Sequence, residues 1–127
     1  MTDERLPLVT IMGPTGVGKT DLAISLTKLV SSEIISVDSV QVYKGMDIGS
    51  GKPAKDILVR HPHKLVSFVD PWKTYSTALF LLDATREISL CDESNKVPLL
   101  VGGTMLYFRS LLSGISRMPE ANQDIRD

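Results

Sequence analysis

Cysteine is almost absent from this sequence, with Cys91 the only one in 127 residues. A lone thiol cannot close a disulfide within the chain, so a stapled extracellular scaffold is excluded and a cytosolic setting is expected. At the end of a helical pattern, Cys91 reads as a small buried apolar residue or as inert surface. Long apolar runs are also lacking. None approaches the roughly 20 residues of a membrane helix, and the opening segment from Met1 to Pro7 is polar and carries two acids, so neither a span nor an export leader is indicated. Charge of one sign is missing as well: 14 Lys and Arg stand against 15 Asp and Glu, a net charge of −1, which argues against a general nucleic-acid binder but leaves local patches open. His61 and His63 alone are too few for a structural zinc site. The hydrophobic content of 43% suits one small domain with a real core.

The apolar pattern predicts a β-α-β-loop-β-α-β-α order. Leu8 to Met12 reads as a buried strand that runs into a glycine-rich turn. Leu22, Ala23, Leu26, Leu29 and Val30 then fall on one helical face, and Ser31-Ser32 ends that helix. Ile34 to Val37 is a second strand, stopping at Asp38. Periodicity fails from Ser39 to Pro62, apart from a helical turn around Ala54 to Val59, and a connection this long is usually functional. Leu65 to Val69 reads as a third strand, ending at Asp70-Pro71. Ser76 is the expected N-cap of a helix carrying Phe80, Ala84, Ile88 and Cys91 on one face. Val97 to Val101 is a fourth strand with Pro98 near its start, and Gly102-Gly103 leads into a helix over Thr104 to Ser113 that Gly114 should end. Strands separated by helices imply parallel pairing, hence a three-layer α/β fold.

Gly13-Pro14-Thr15-Gly16-Val17-Gly18-Lys19-Thr20 matches the Walker A pattern at every required position, between a predicted strand and a predicted helix. Glycines let successive N–H groups point inward, and the helix N-terminus adds partial positive charge, which makes a nest for a diphosphate or longer anion. Lys19 should reach its terminal oxygens, and Thr20 should place its hydroxyl on a Mg²⁺ ion that shares them. The cradle does not choose the reaction, because hydrolases, kinases and diphosphate-releasing transferases all use it.

Asp38 lies at the carboxyl end of its strand, the edge where ligands bind in open α/β sheets, and reads either as a base or as a turn former with Ser39. Asp70 reads as a Walker B-like metal residue or, with Pro71 behind it, as a turn. Residues 44 to 64 hold five lysines and arginines against two aspartates, including the cluster Arg60, His61, His63 and Lys64, which is either a phosphate-backbone contact or a solvated face. Trp72 and Tyr75 suit base stacking or simple packing. Thr104, after a glycine pair that allows close approach, suits a helix cap or a ligand contact.

With these positions laid out, the chain resembles the tRNA dimethylallyltransferases, the bacterial type in particular. The resemblance rests on the Walker A segment at 13 to 20, on Ile-Ile-Ser-Val-Asp-Ser-Val-Gln-Val-Tyr-Lys-Gly-Met-Asp-Ile-Gly-Ser-Gly-Lys-Pro at 34 to 53, and on Leu-Leu-Val-Gly-Gly-Thr-Met-Leu-Tyr-Phe at 99 to 108. It implies a P-loop NTPase-like three-layer sandwich with a mainly parallel sheet. It also implies transfer of a dimethylallyl group from dimethylallyl diphosphate to the N6 amine of the adenosine beside the tRNA anticodon. By the same resemblance Asp38 is the catalytic base and Thr15 sits near the diphosphate or the amine. Asp38, Ser39, Val40, Gln41, Thr104 and Arg126 would meet tRNA, and Gly13 to Thr20 would hold the diphosphate with Mg²⁺ on Thr20.

Members of that family run well beyond this length and include an inserted helical domain. The expectation is therefore an N-terminal part: a partial core over 1–115, then an unstructured tail over 116–127 leading to a second half, with the complete enzyme a cytoplasmic monomer. Two other readings stay open, an adenylate isopentenyltransferase acting on free AMP, ADP or ATP, and a non-catalytic P-loop module that binds nucleotide.

Overall fold

A computed structural model describes residues 7–14, 16–45 and 49–116. Thr15, Arg126 and nearly all of the expected tail lie outside these residues. The elements are β1 (Val9–Met12), α1 (Lys19–Leu29), β2 (Ser32–Ser36), α2 (Lys55–Arg60), β3 (His63–Lys64), α3 (Thr77–Glu93), β4 (Val97–Gly102) and α4 (Met105–Ser116). All strand pairs are parallel, and the sheet order is β1-β4-β2-β3.

β4 is one of the two inner strands, and all six of its residues are buried. β2 pairs with it from Val97, whereas β1 joins only at Leu99, so Pro98 lies ahead of the stretch that carries two neighbours. Side chains alternate between two cores. Ile11, Ala23, Ile34, Leu99 and Val101 pack beneath α1 on one face. Ile35, Val37, Leu100, Phe80, Ala84, Tyr107, Phe108 and Leu111 pack beneath α3 and α4 on the other. The result is the expected three-layer α/β sandwich.

Helix α3 begins as its sequence indicates. Ser76 Oγ accepts the Leu79 N–H at 3.1 Å, and Phe80, Ala84 and Cys91 are buried on its inner face with Ile88 packed beside them. Burial pushes the Cys91 thiol up, in keeping with an apolar role.

Three expectations need correction. Leu65 to Val69 is not a strand. Leu65 (φ 67°) and Ser67 (φ 55°) occupy the left-handed region, which an extended chain cannot pass through, so β3 stops at Lys64. The segment instead hydrogen-bonds along residues 41–44, Ser67 N–H to Gln41 O and Phe68 N–H to Val42 O at 2.9 Å each, with one bridge between Tyr43 and Val69. The apolar face proposed for α1 is also too wide. Ala23 is fully buried and Ile24 and Leu26 pack beside it, whereas Leu22 and Leu29 are 51% and 79% exposed. Finally, α4 passes through Gly114 and ends at Ser116, because that glycine has helical backbone and not the positive φ of a helix stop.

Candidate phosphate-binding cleft

Because the strands are parallel, β1, β2 and β4 all end at one edge of the sheet, and the two halves of the site meet across the end of β4. The Gly13 N–H donates to Gly102 O at 3.2 Å, and the Val37 N–H donates to Val101 O at 2.8 Å. There is no room for side chains at this seam. A Cβ on Gly102 would lie 2.1 Å from the Val37 carbonyl oxygen, and one on Gly103 would lie 3.0 Å from that of Gly13. The glycine pair thus lets the phosphate loop and the Asp38 turn approach the same strand end.

Within the loop, Gly16 (φ 90°) and Gly18 (φ 85°) take the left-handed conformation that curls its backbone, and Gly18 is the N-cap of α1. Lys19 Nζ donates to the carbonyls of Gly13 and Pro14, each at 2.6 Å. An ammonium has three protons, so one remains for an anion when both of these bonds persist. Val17 is exposed and does not line the cleft.

A cleft of about 170 Å³ opens at this edge and brings together Lys19 and Thr20 of α1, Ser36 of β2, Asp38 and Gln41 of the following turn, and His63 of β3. Asp38 Oδ1 accepts the Val40 and Gln41 N–H groups at 2.8 and 3.0 Å. No hydrogen bond to its Oδ2 occurs among the described residues. Gln41 clasps the next segment: its Oε1 accepts from Ser36 Oγ at 3.4 Å, and its Nε2 donates to Ser50 O at 3.2 Å. Thr104 Oγ1 accepts the Ser39 N–H at 2.9 Å, so its hydroxyl ties the Asp38 turn to the start of α4 and caps no helix N–H. Ser39, Val40 and Thr104 lie beside the cleft without lining it, and Val40 is exposed.

Asp70 is not part of this constellation. It pairs with Lys44 at 3.3 Å, has no strand before it and does not line the cleft, which removes the Walker B-like reading. The basic cluster divides: Arg60 pairs with Asp56 at 3.2 Å on the surface, whereas His63 turns inward. Tyr75 packs edge-on against Phe68 with ring centroids 5.5 Å apart and donates to Asp83 at 2.7 Å; burial, then that carboxylate, pushes its phenol far above the usual range. Trp72 is 79% exposed, so packing does not account for it.

Sequence reasoning missed His63 and Asp21 as cleft residues. Asp21 follows the Walker A threonine directly, and that adjacency was the available signal. For His63 the sequence offered only its place in a basic cluster. His63 Nδ1 lies 2.8 Å from the His61 carbonyl, and burial holds the ring below its ordinary pKa.

A parallel α/β sheet with a lysine-bearing glycine loop at its carboxyl edge defines the P-loop class of fold. The comparisons narrow that class. The family model described as IPP transferase matches residues 41–127, and the one described as isopentenyl transferase matches residues 6–61. Among solved structures, the full-length tRNA isopentenylpyrophosphate transferase of Bacillus halodurans is 40% identical over 94% of this chain, with a TM-score of 0.78. The tRNA delta(2)-isopentenylpyrophosphate transferase of Staphylococcus epidermidis is 39% identical over 84%, with a TM-score of 0.77. A eukaryotic dimethylallyltransferase acting on tRNA is 34% identical over 82%, with a TM-score of 0.77. The chain belongs to the IPP transferase family. It spans 37%, 35% and 26% of those three chains, respectively.

Proposed function

We propose that this chain carries the diphosphate-binding and proton-accepting part of a tRNA dimethylallyltransferase. One observation supports this above the others: the Walker A lysine and threonine share a single cleft with Asp38. A phosphate loop alone suits many reactions. A carboxylate with an uncommitted oxygen beside it suits a reaction in which a diphosphate leaves and a nucleophile sheds a proton.

In this reading the loop N–H groups and Lys19 hold dimethylallyl diphosphate and stabilise the charge that builds on it as the allylic C–O bond breaks, the electron pair leaving with diphosphate. The N6 amine of adenosine forms the new C–N bond, and Asp38 Oδ2 takes its proton. Oδ1 stays on the turn amides and fixes the carboxylate. Thr15 would stand near the diphosphate or the amine. Ser39, Val40 and Thr104, at the rim, and Gln41, within the cleft, would face the tRNA together with Arg126.

The donor set suits Mg²⁺. The cleft offers the Thr20 hydroxyl, and among the described residues no group of three His, Cys, Asp or Glu side chains could hold a metal without phosphate. That arrangement fits a hard ion that draws its other ligands from phosphate and water. Bound there, Mg²⁺ would supply charge stabilisation to the leaving diphosphate. No helix among the described residues is long and apolar enough to cross a membrane. A tRNA substrate suits a cytoplasmic reaction, and the proposed complete enzyme is a monomer.

The test is to incubate the chain, extended to the length of its relatives, with dimethylallyl diphosphate, Mg²⁺ and tRNA lacking the modification, in parallel with free AMP. Prenylated adenosine in the tRNA digest is the expected product. Prenylated AMP in its place would move the assignment to the adenylate type, and diphosphate binding without transfer to either acceptor would leave a binding module.

A further inference from the structure

His63 Nε2 is the one fully buried side-chain nitrogen or oxygen without a hydrogen-bond partner among the described residues. Leaving such an atom unpaired typically costs about 1–3 kcal/mol, so its position calls for a reason. The ring's other nitrogen settles its chemistry. Nδ1 lies 2.8 Å from the carbonyl oxygen of His61, and a carbonyl only accepts, so Nδ1 carries the hydrogen. In the neutral ring Nε2 is then a bare acceptor. Burial favours that neutral form.

The register sets this ring on the cleft side of the sheet. His63 pairs in register with Ile34, whose side chain packs beneath α1, so the imidazole lies on the sheet face that carries the phosphate loop. It lines the same cleft as Thr20, Ser36 and Asp38. Two neighbouring donors are engaged elsewhere, Ser36 Oγ with Gln41 and Lys19 Nζ with Gly13 and Pro14. No described group is hydrogen-bonded to Nε2, so a donor carried by the occupant is a partner the cleft can receive. A fully ionised diphosphate cannot supply it, since it offers only acceptor oxygens.

We propose that His63 is a recognition residue whose Nε2 accepts a hydrogen bond from an N–H or O–H donor that enters the cleft with the substrates. This rests on the function proposed above. The donor has two possible sources, a water brought in on the metal–diphosphate complex or the exocyclic amine of the acceptor base. Either way, His63 selects for a donor beside the Lys19 and Thr20 end of the cleft, which suits phosphate.

The experiment follows the His63 ring nitrogens by ¹⁵N NMR in the 127-residue chain. Spectra are recorded alone, with Mg²⁺ and inorganic diphosphate, and with an anticodon stem-loop RNA added, its target position carrying either adenosine or purine riboside, which lacks the amine. The Nε2 resonance should begin as an unprotonated, unbonded nitrogen and move toward the hydrogen-bonded position on addition of ligand, while Nδ1 stays protonated. Movement with Mg²⁺–diphosphate alone identifies the coordinated water. Movement only with the adenosine RNA, and not with purine riboside, identifies the amine. His63→Leu should weaken binding of the responsible ligand about three- to tenfold, and His63→Gln, which keeps an acceptor, should recover part of that loss. An Nε2 resonance that is already hydrogen-bonded in the free chain, or that none of the ligands moves, overturns the proposal. The backbone amides of residues 16–20 report separately on the cradle. If they respond while Nε2 is silent, the role of His63 falls alone; if they too are silent, the phosphate-binding reading falls with it.

Discussion

Replacing Gly102 with alanine tests the seam on which the whole cleft depends. The new Cβ would sit 2.1 Å from the Val37 oxygen, 2.6 Å from its carbonyl carbon and 3.0 Å from its Cα, all backbone atoms with no rotamer to yield. An ordinary C···O contact is about 3.3–3.6 Å, so the end of β2 has to retreat by more than about 1 Å. That movement strains two hydrogen bonds, Val37 N–H to Val101 O at 2.8 Å and Thr104 N–H to Val37 O at 3.3 Å. Overpacking costs about 1–3 kcal/mol and each bond about 0.5–1.5 kcal/mol, which together give about 2–6 kcal/mol. At about 4 °C per kcal/mol for a domain of this size, the Tm should fall by roughly 8–24 °C. Gly114→Ala is the matched control: its Cβ meets nothing within 4 Å and lies inside α4, so removing backbone freedom there should stabilise by about 0.5–1 kcal/mol. Thermal unfolding followed by circular dichroism reads both. A Gly102→Ala chain that melts within about 2 °C of the parent would show that β2 and β4 do not meet at this distance, and the account of the seam would be wrong.

Further outcomes follow from single contacts. Lys19→Ala should weaken diphosphate binding by about 1.5–3 kcal/mol in calorimetric titration, with little change in Tm, because the ammonium bonds only to its own loop. Ser76→Ala removes the N-cap of α3 and should lower stability by about 1 kcal/mol in urea titration, without affecting diphosphate binding. Burial outweighs the hydrogen bond to the His61 carbonyl and holds His63 below its ordinary 6.5, so the unfolded chain binds the extra proton first. The resulting stability is present above pH 6.5 and is lost as pH falls below it; His63→Gln should flatten the difference in denaturation midpoint between pH 7 and pH 5.

Most of the fold was legible because its signals were local. The glycine loop between β1 and α1, the serine before α3 and the continuous apolar run of β4 each state their conformation in a few adjacent residues. What escaped was set by tertiary contacts. Leu65 and Ser67 adopt positive φ without the glycine or asparagine that normally announces it, so an apolar run read as a strand folds back along residues 41–44. Leu22 and Leu29 share a helical face with Leu26, yet only the docking of α1 on the sheet decides which part of that face is covered. His63 was hidden for the same reason. Its charge type placed it with Arg60 and Lys64, and only the register between β3 and β2 separates the inward ring from its solvated neighbours.

Asp38 shows how a site can be read correctly in two incompatible-looking ways. As a turn former it should spend its carboxylate on backbone amides; as a base it should keep that carboxylate for substrate. The structure divides the two demands between the two oxygens. Oδ1 takes the Val40 and Gln41 amides, which locks the side-chain rotamer, and Oδ2 has no hydrogen-bond partner among the described residues. Because the turn also holds Ser39, whose N–H reaches Thr104 Oγ1 at 2.9 Å, the orientation of the carboxylate is tied through α4 to the glycine seam. A substitution can therefore separate the roles. Asp38→Asn keeps an oxygen for the turn and places an amide nitrogen where Oδ2 stood, so the fold and diphosphate affinity should persist while transfer falls about 10²- to 10⁴-fold. Asp38→Ala removes both oxygens and should add a loss of about 1 kcal/mol in stability. If the asparagine and alanine variants unfold alike, the Oδ1 contacts do not support the turn. If the asparagine variant transfers normally in a chain that shows transfer, Asp38 is not the base.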